Sequence, residues 1–198
     1  MVSSRIKKRF RSRIAPAARS AHRVGLSPNA VSVLGGLLAI AAGILYALRG
    51  RNSLFILAGG TLLLLSGFCD ALDGALAETY GTGSPWGGFL DSLTDRYADA
   101  FVVSGVTVGG LCDQYVGLIA LVGTLLVSYV RARAEVMGIG MEGVGLAERP
   151  ERILLIAAAS LAFYLDTRAI WFGMLLLAVI THLTVAQRVW HVYRSRPT

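Results

Sequence analysis

The chain has 198 residues, 55% of them hydrophobic and only 16% charged, with a mean hydropathy of +0.61. That balance excludes an ordinary soluble domain, and the length suits a single domain over 1–198. A formal net charge of +7 would serve nucleic acid or a membrane surface equally well; the apolar bulk decides for the membrane and against nucleic acid.

The first 23 residues hold eight of the 19 basic residues, and no acidic residue precedes Asp70. The basic stretch is too long for a cleavable signal peptide, and no short apolar run with a small-residue cleavage site follows it. Ile6, Phe10 and Ile14 recur at four-residue spacing among the cations. Residues 1–23 are therefore expected to form a basic juxtamembrane segment, an interfacial amphipathic helix with one face in anionic headgroups.

Charge-poor runs then mark the spans, because a helix crossing the hydrocarbon needs about 20 apolar residues. Residues 24–48 form the first, opened by Ser27-Pro28, a capping residue followed by a proline suited to a helix start. Residues 52–69 form the second, continuing as a helix past Asp70. Residues 100–112, with 87–99 as a polar lead-in, form the third, and 114–130 the fourth. Residues 153–165 are short but extend backwards through 148–152, and 169–187 complete a set of six. Glycine-rich or charged turns separate them at 49–52, 81–85, 138–140 and 166–168. The expected fold is an all-α integral membrane protein with six transmembrane helices. On that topology fifteen Lys and Arg side chains share the side of both termini and three lie opposite, so the termini and the active site are expected to face the cytoplasm, with the plasma membrane as the expected location. Cys69 and Cys112 lie among apolar residues and read as buried small hydrophobes rather than a disulfide. Trp86, Trp171, Trp190 and Tyr193 suit an aromatic belt.

The chemistry concentrates between Asp70 and Asp95, in DALDGALAETYGTGSPWGGFLDSLTD. Asp70 and Asp73 are three apart and Asp91 and Asp95 four apart, so each pair projects from one helix face. The Gly/Ser/Pro turn between them lets two antiparallel helices bring the pairs together. Each uncompensated charge within a membrane costs at least ~2.5 kcal/mol. Arg96 is the one cation beside the stretch, so a divalent metal is the economical counter-charge. An all-carboxylate oxygen set selects Mg²⁺ or Mn²⁺ over zinc. Two such ions sharing carboxylates would clamp a pyrophosphate for in-line displacement. Gly74, Gly87 and Gly88 leave room for a phosphate or a neighbouring helix to approach. Aspartates that merely cap helix ends would have no reason to keep two helical spacings bracketing glycines.

This stretch resembles the signature of the CDP-alcohol phosphotransferase family: D-x-x-D-G-x-x-A-R, eight residues, G-x-x-x-D-x-x-x-D. Asp70, Asp73, Gly74, Ala77, Gly87, Asp91 and Asp95 fall at its positions with the gap intact. The resemblance implies an all-helical homodimer with its active site at the cytoplasmic membrane face, a CDP-linked lipid or alcohol as donor, and CMP as leaving group. It implies metal ligation by Asp70, Asp73 and Asp91. Asp95 would be the general base on the acceptor hydroxyl and a further ligand to the second metal. Pro28, Asn29, Gly74 and Ser84 would lie along the CDP moiety. One position departs: Glu78 stands where the family has an arginine expected to hold the nucleotide diphosphate. Glu78 must point away, pair with a cation from elsewhere, or alter donor binding.

Between the fourth and fifth spans, Arg131 and Arg133 end one helix and Arg149 and Arg152 open the next. Four arginines near a metal site make an anion pocket suited to an acceptor that already carries a phosphate, such as inositol 1-phosphate or glycerol 3-phosphate. Basic residues that only set topology are the plainer alternative. The segments 131–135 and 148–152 resemble those of actinobacterial and archaeal inositol-phosphate synthases, which make phosphatidylinositol phosphate or archaetidylinositol phosphate. On that resemblance the expected reaction is transfer from CDP-diacylglycerol or CDP-archaeol to 1D-myo-inositol phosphate, in phospholipid biosynthesis, with the four arginines on the acceptor's phosphate. A glycerol 3-phosphate acceptor is the alternative within the family. A divalent-cation transporter is the alternative from another class, disfavoured because the far halves of the spans carry no ionisable groups.

Overall fold

The structure, a computed structural model, describes residues 14–48 and 53–195. Its secondary structure is helical throughout the described residues: α1 over 14–23, then α2 Pro28–Ala47, α3 Leu54–Tyr80, α4 Pro85–Val108, α5 Gln114–Val136, α6 Arg149–Ala162 and α7 Ala169–Ser195. Four of these, α2, α3, α5 and α7, are long and apolar enough to cross a membrane. The third and fifth expected spans correspond to α4 and α6, which are not among those four. α4 has 24 residues, but Asp91, Asp95, Arg96 and Asp99 all lie within its first 15. α6 has 14 residues, about 21 Å at ~1.5 Å per residue, short of a ~30 Å hydrocarbon core.

Of the N-terminal stripe, Ile6 and Phe10 lie outside the described residues, as do Arg49 and Arg51 of the first turn. Ile14 was expected to face headgroups and instead packs inside. With Ala18 and Ala21 it forms a stripe against Val31, Cys69, Leu72 and Leu76. Two alanines on that face let α1 approach α2 and α3 closely, and burial of apolar surface outweighs a headgroup position.

Two helices begin alike. Ser27 Oγ accepts from Ala30 N at 3.2 Å with Pro28 at the first helical position, and Ser84 Oγ accepts from Gly87 N at 3.0 Å with Pro85 following it. Each serine satisfies an amide that the helix cannot, and proline has no amide to satisfy. α3 runs unbroken past Asp70 to Tyr80 and stops at Gly81, whose φ of 62° is the left-handed turn that glycine adopts without strain.

Helices α2, α3, α6, α7, α5 and α4 contact one another in that order and close back on α2, a six-membered ring. Its tightest crossing joins α2 to α4. A Cβ on Gly105 would strike the backbone of Gly43, and one on Gly43 the backbone of Phe101, so small residues let the two backbones meet. Tyr46, fully buried, hydrogen-bonds Ser160 Oγ at 2.8 Å and ties α2 to α6. No Cα of α4 lies within 8 Å of one of α6; these two helices face each other across the ring.

The α5–α6 connection is pinned to α7. Leu146 N and Ala147 N both donate to Thr184 Oγ1, at 3.1 and 3.0 Å. Arg188 Nε donates to Val144 O at 2.9 Å. Gly145 turns the connection with a φ of 114°. Cys69 and Cys112 are free and buried, as expected.

Candidate active site

The hairpin of α3 and α4, each arm packed on α2 rather than on the other, brings the carboxylates together as the spacing predicts. Asp70, Asp91 and Asp95 each offer an oxygen, all within 4.8 Å of one another. Asp73 lines the same cleft but accepts a hydrogen bond from Ser32 Oγ of α2. This converging oxygen-only donor set fits a hard divalent ion such as Mg²⁺ or Mn²⁺.

The carboxylates do not lack protein cations, contrary to the expectation from the local stretch. Arg149, at the start of α6, reaches across the ring and places NH1 2.5 Å from Asp70 Oδ1 and 2.8 Å from Asp95 Oδ1. Arg96 NH2 stands 3.6 Å from Asp95 Oδ2. The cluster therefore has protein cations of its own, and a metal ion would compete with Arg149 for the same oxygens. Asp70 and Arg149 are 79 positions apart, which no local spacing could reveal.

Beside the carboxylates lies a cavity of about 200 Å³. Pro28, Asn29 and Ser32 line it from α2, Asp73, Gly74 and Ala77 from α3, and Ser84, Gly87, Gly88 and Asp91 from the start of α4. All four residues assigned to the donor thus share one cavity. A Cβ on Gly74 or Gly88 would meet nothing within 4 Å, whereas one on Gly87 would come within 2.7 Å of Asn29 Oδ1. Two glycines keep the space open and the third lets Asn29 lie across the start of α4. Helix starts of α2 and α4 both border the cavity, bringing amide groups and positive dipole ends that suit an anionic diphosphate. Glu78 is exposed and does not line it. The first of the three alternatives, that it points away, agrees with this geometry.

A second, smaller cavity is lined by Arg96, Val127, Ser128, Arg131, Glu148, Arg149, Arg152 and Arg188. Three of the four arginines assigned to the acceptor are here; Arg133 is exposed and not among the lining residues. Arg131 Nε pairs with Glu135 at 2.8 Å. Arg152 gives NH2 to Asp99 Oδ2 at 2.6 Å and NH1 to Ala147 O at 3.0 Å. Sequence reasoning missed Arg188, which passed for a topology-setting cation at the end of a span. Arg188 is 2% exposed, and its hydrogen bonds go to the carbonyls of Val144 and Val127, at 2.9 and 2.6 Å. It missed Asp99 too, though Asp99 continues the four-residue period of Asp91 and Asp95.

Comparisons with known proteins agree with this geometry. The archaetidylinositol phosphate synthase of Pyrococcus horikoshii is 41% identical over 167 residues, 84% of each chain. The crystal structure of Mycobacterium tuberculosis phosphatidylinositol phosphate synthase with CDP-DAG bound superposes with a TM-score of 0.78 at 31% identity, covering 91% of this chain and 93% of that one. The structure of the same mycobacterial enzyme with manganese and citrate gives a TM-score of 0.76 at 32% identity, covering 91% and 88%. Residues 26–188 match the family described as CDP-alcohol phosphatidyltransferase, and with the four aspartates, the cavity beside them and the ring of helices in place, the chain belongs to that family of membrane phosphotransferases.

Proposed function

We propose that this enzyme transfers the lipid phosphate of a CDP-linked lipid, CDP-archaeol or CDP-diacylglycerol, to 1D-myo-inositol phosphate and releases CMP. The observation that carries the acceptor is Arg188. A buried guanidinium bonded to neutral carbonyls, in a cavity lined by four more arginines against one carboxylate, Glu148, calls for an anion. Arg131, Arg149 and Arg152 line the same cavity, and a phosphate monoester is the anion that several arginine forks hold best. The names of the relatives point to the same acceptor class.

In this reading the CDP group lies along Pro28, Asn29, Gly74 and Ser84, its diphosphate against the starts of α2 and α4. Two divalent ions on Asp70, Asp73, Asp91 and Asp95 would neutralise the diphosphate and the charge that builds up in the displacement. Asp95 takes the proton of the acceptor hydroxyl as that oxygen attacks the lipid-bearing phosphorus and the bond to CMP breaks. Arg149, in contact with Asp95 and facing the arginine cavity, sets the acceptor's phosphate at a defined distance from the base. Ser32 holds the Asp73 carboxylate in orientation. We place α4 and α6 across the membrane with the other four helices, the residues after Ala162 completing the crossing of the short α6, giving six spans with the charged starts of α4 and α6 at a cytoplasmic, plasma-membrane face. That is the side the Lys/Arg count favours. The family resemblance supports a homodimer.

The test is CMP release by purified protein with Mg²⁺ or Mn²⁺ and each CDP-lipid in turn, comparing inositol 1-phosphate, free inositol, glycerol 3-phosphate and serine. Release with inositol phosphate and not with inositol is the expected result. Release with glycerol 3-phosphate instead would move the acceptor, and release with serine would remove the role given to the arginine cavity.

A further inference from the structure

Asp99 and Arg152 lie outside the four-aspartate signature, yet they repeat its charge contact one helical turn away. On α4, Asp99 follows Asp95 by four residues; on α6, Arg152 follows Arg149 by three. Both intervals are one turn of helix. The result is a pair of rungs between facing helices: Asp95 with Arg149 at 2.8 Å, and Asp99 with Arg152 at 2.6 Å. The inner rung is the more enclosed, its side chains 3% and 9% exposed against 11% for both members of the outer one.

No Cα of α4 comes within 8 Å of α6, which packs on α3 and α7, so between α4 and α6 themselves only side chains meet: apolar ones in the common core and, at its charged end, the two rungs. The outer one involves carboxylate oxygens that a divalent ion also needs, which leaves the inner one as the standing link. Arg152 extends that link with its second arm, because NH1 holds the carbonyl of Ala147 at 3.0 Å, two residues before Arg149. Asp99 itself lines neither the carboxylate cleft nor the arginine cavity. We propose that Asp99 is a positioning residue for the acceptor: through Arg152 it fixes α6 in register against α4 and so holds Arg149 where the aspartates and the arginine cavity meet. This rests on the reading of that cavity as the phosphate site.

The test measures inorganic phosphate binding by calorimetry on the full-length protein, beside Mn²⁺ binding and steady-state kinetics. Asp99→Asn is expected to weaken phosphate about tenfold, the scale of one lost charge-assisted contact. The acceptor KM should rise by a similar factor, with kcat, donor KM and the Mn²⁺ dissociation constant changed by less than about threefold, a split that general loosening of the fold would not give. Asp99→Glu keeps the charge but lengthens the rung by one carbon; it too is expected to weaken phosphate, and it decides the matter if Asp99→Asn does not fold. Unchanged or tighter phosphate binding in either variant overturns the proposal and reduces Asp99 to a counter-ion for Arg152. Failure of the unmodified protein to bind phosphate would instead overturn the acceptor reading, and this inference with it.

Discussion

The two halves of the ring supply the site in different ways. The α2–α4 half delivers its chemistry from one contiguous hairpin, where 26 residues hold four aspartates and the glycines that space them. The α5–α7 half gathers scattered cations around one cavity: Arg131 near the end of α5, Arg149 and Arg152 on the first turn of α6, and Arg188 late on α7, with Arg96 of α4 the one arginine added from the other half. Chemistry that needs several carboxylates at fixed mutual distances is served by short helical periods. Recognition of a phosphate tolerates donors from anywhere, provided the backbone brings them to one place. A motif search therefore finds the first half at once and the second only in part.

That contrast can be broken from either side. The largest effect is expected at Asp95. Asp95→Asn keeps the shape and removes both the base and a ligand charge, so kcat should fall by about 10²–10⁴-fold. Donor binding, read by protection of the protein with CDP-lipid, should persist. Full turnover would strip Asp95 of its role. Next comes the arginine half. Arg188→Gln retains hydrogen-bonding capacity without the charge and is expected to raise the acceptor KM about tenfold or more, the worth of a charged hydrogen bond, with donor KM unmoved. A normal acceptor KM would show that Arg188 merely braces the α5–α6 connection through Val144. The smallest effect is expected at Glu78. Restoring the family arginine with Glu78→Arg should change donor KM by no more than about fivefold, since an exposed charge contributes little. A gain well beyond that would mean that the side chain reaches the diphosphate after all.

The hairpin was legible because its information is local: Asp91 and Asp95 are one turn apart, and Ser27-Pro28 and Ser84-Pro85 announce helix starts through chemistry confined to four residues. Asp73 shows where this stops. Its spacing from Asp70 is right, but Ser32, 41 positions earlier, decides which way its carboxylate turns. Arg149 was legible as a cation and illegible as the partner of Asp70 and Asp95. Arg188 misled because hydropathy reads a basic residue near a helix end as solvated. The fold buries it by laying the α5–α6 connection over it, a tertiary event that leaves no periodic trace. The length of α6 was misjudged for the opposite reason: apolar residues continue beyond Ala162, but the helix does not.

The wide separation along the chain of the two members of the inner rung has a consequence for how the protein is made. Asp99 leaves the ribosome 53 residues ahead of Arg152, a lag of about 3–10 s at typical elongation rates. Through that interval the nascent α4 carries an acid destined for the interior with no counter-charge, and the ring stays open on the side that α6 and α7 will close. Assembly in the bilayer is thus expected to wait for the last two helices. A chain cut short before α6 should be recognised by membrane proteases as unfinished, even though it already contains the whole aspartate signature.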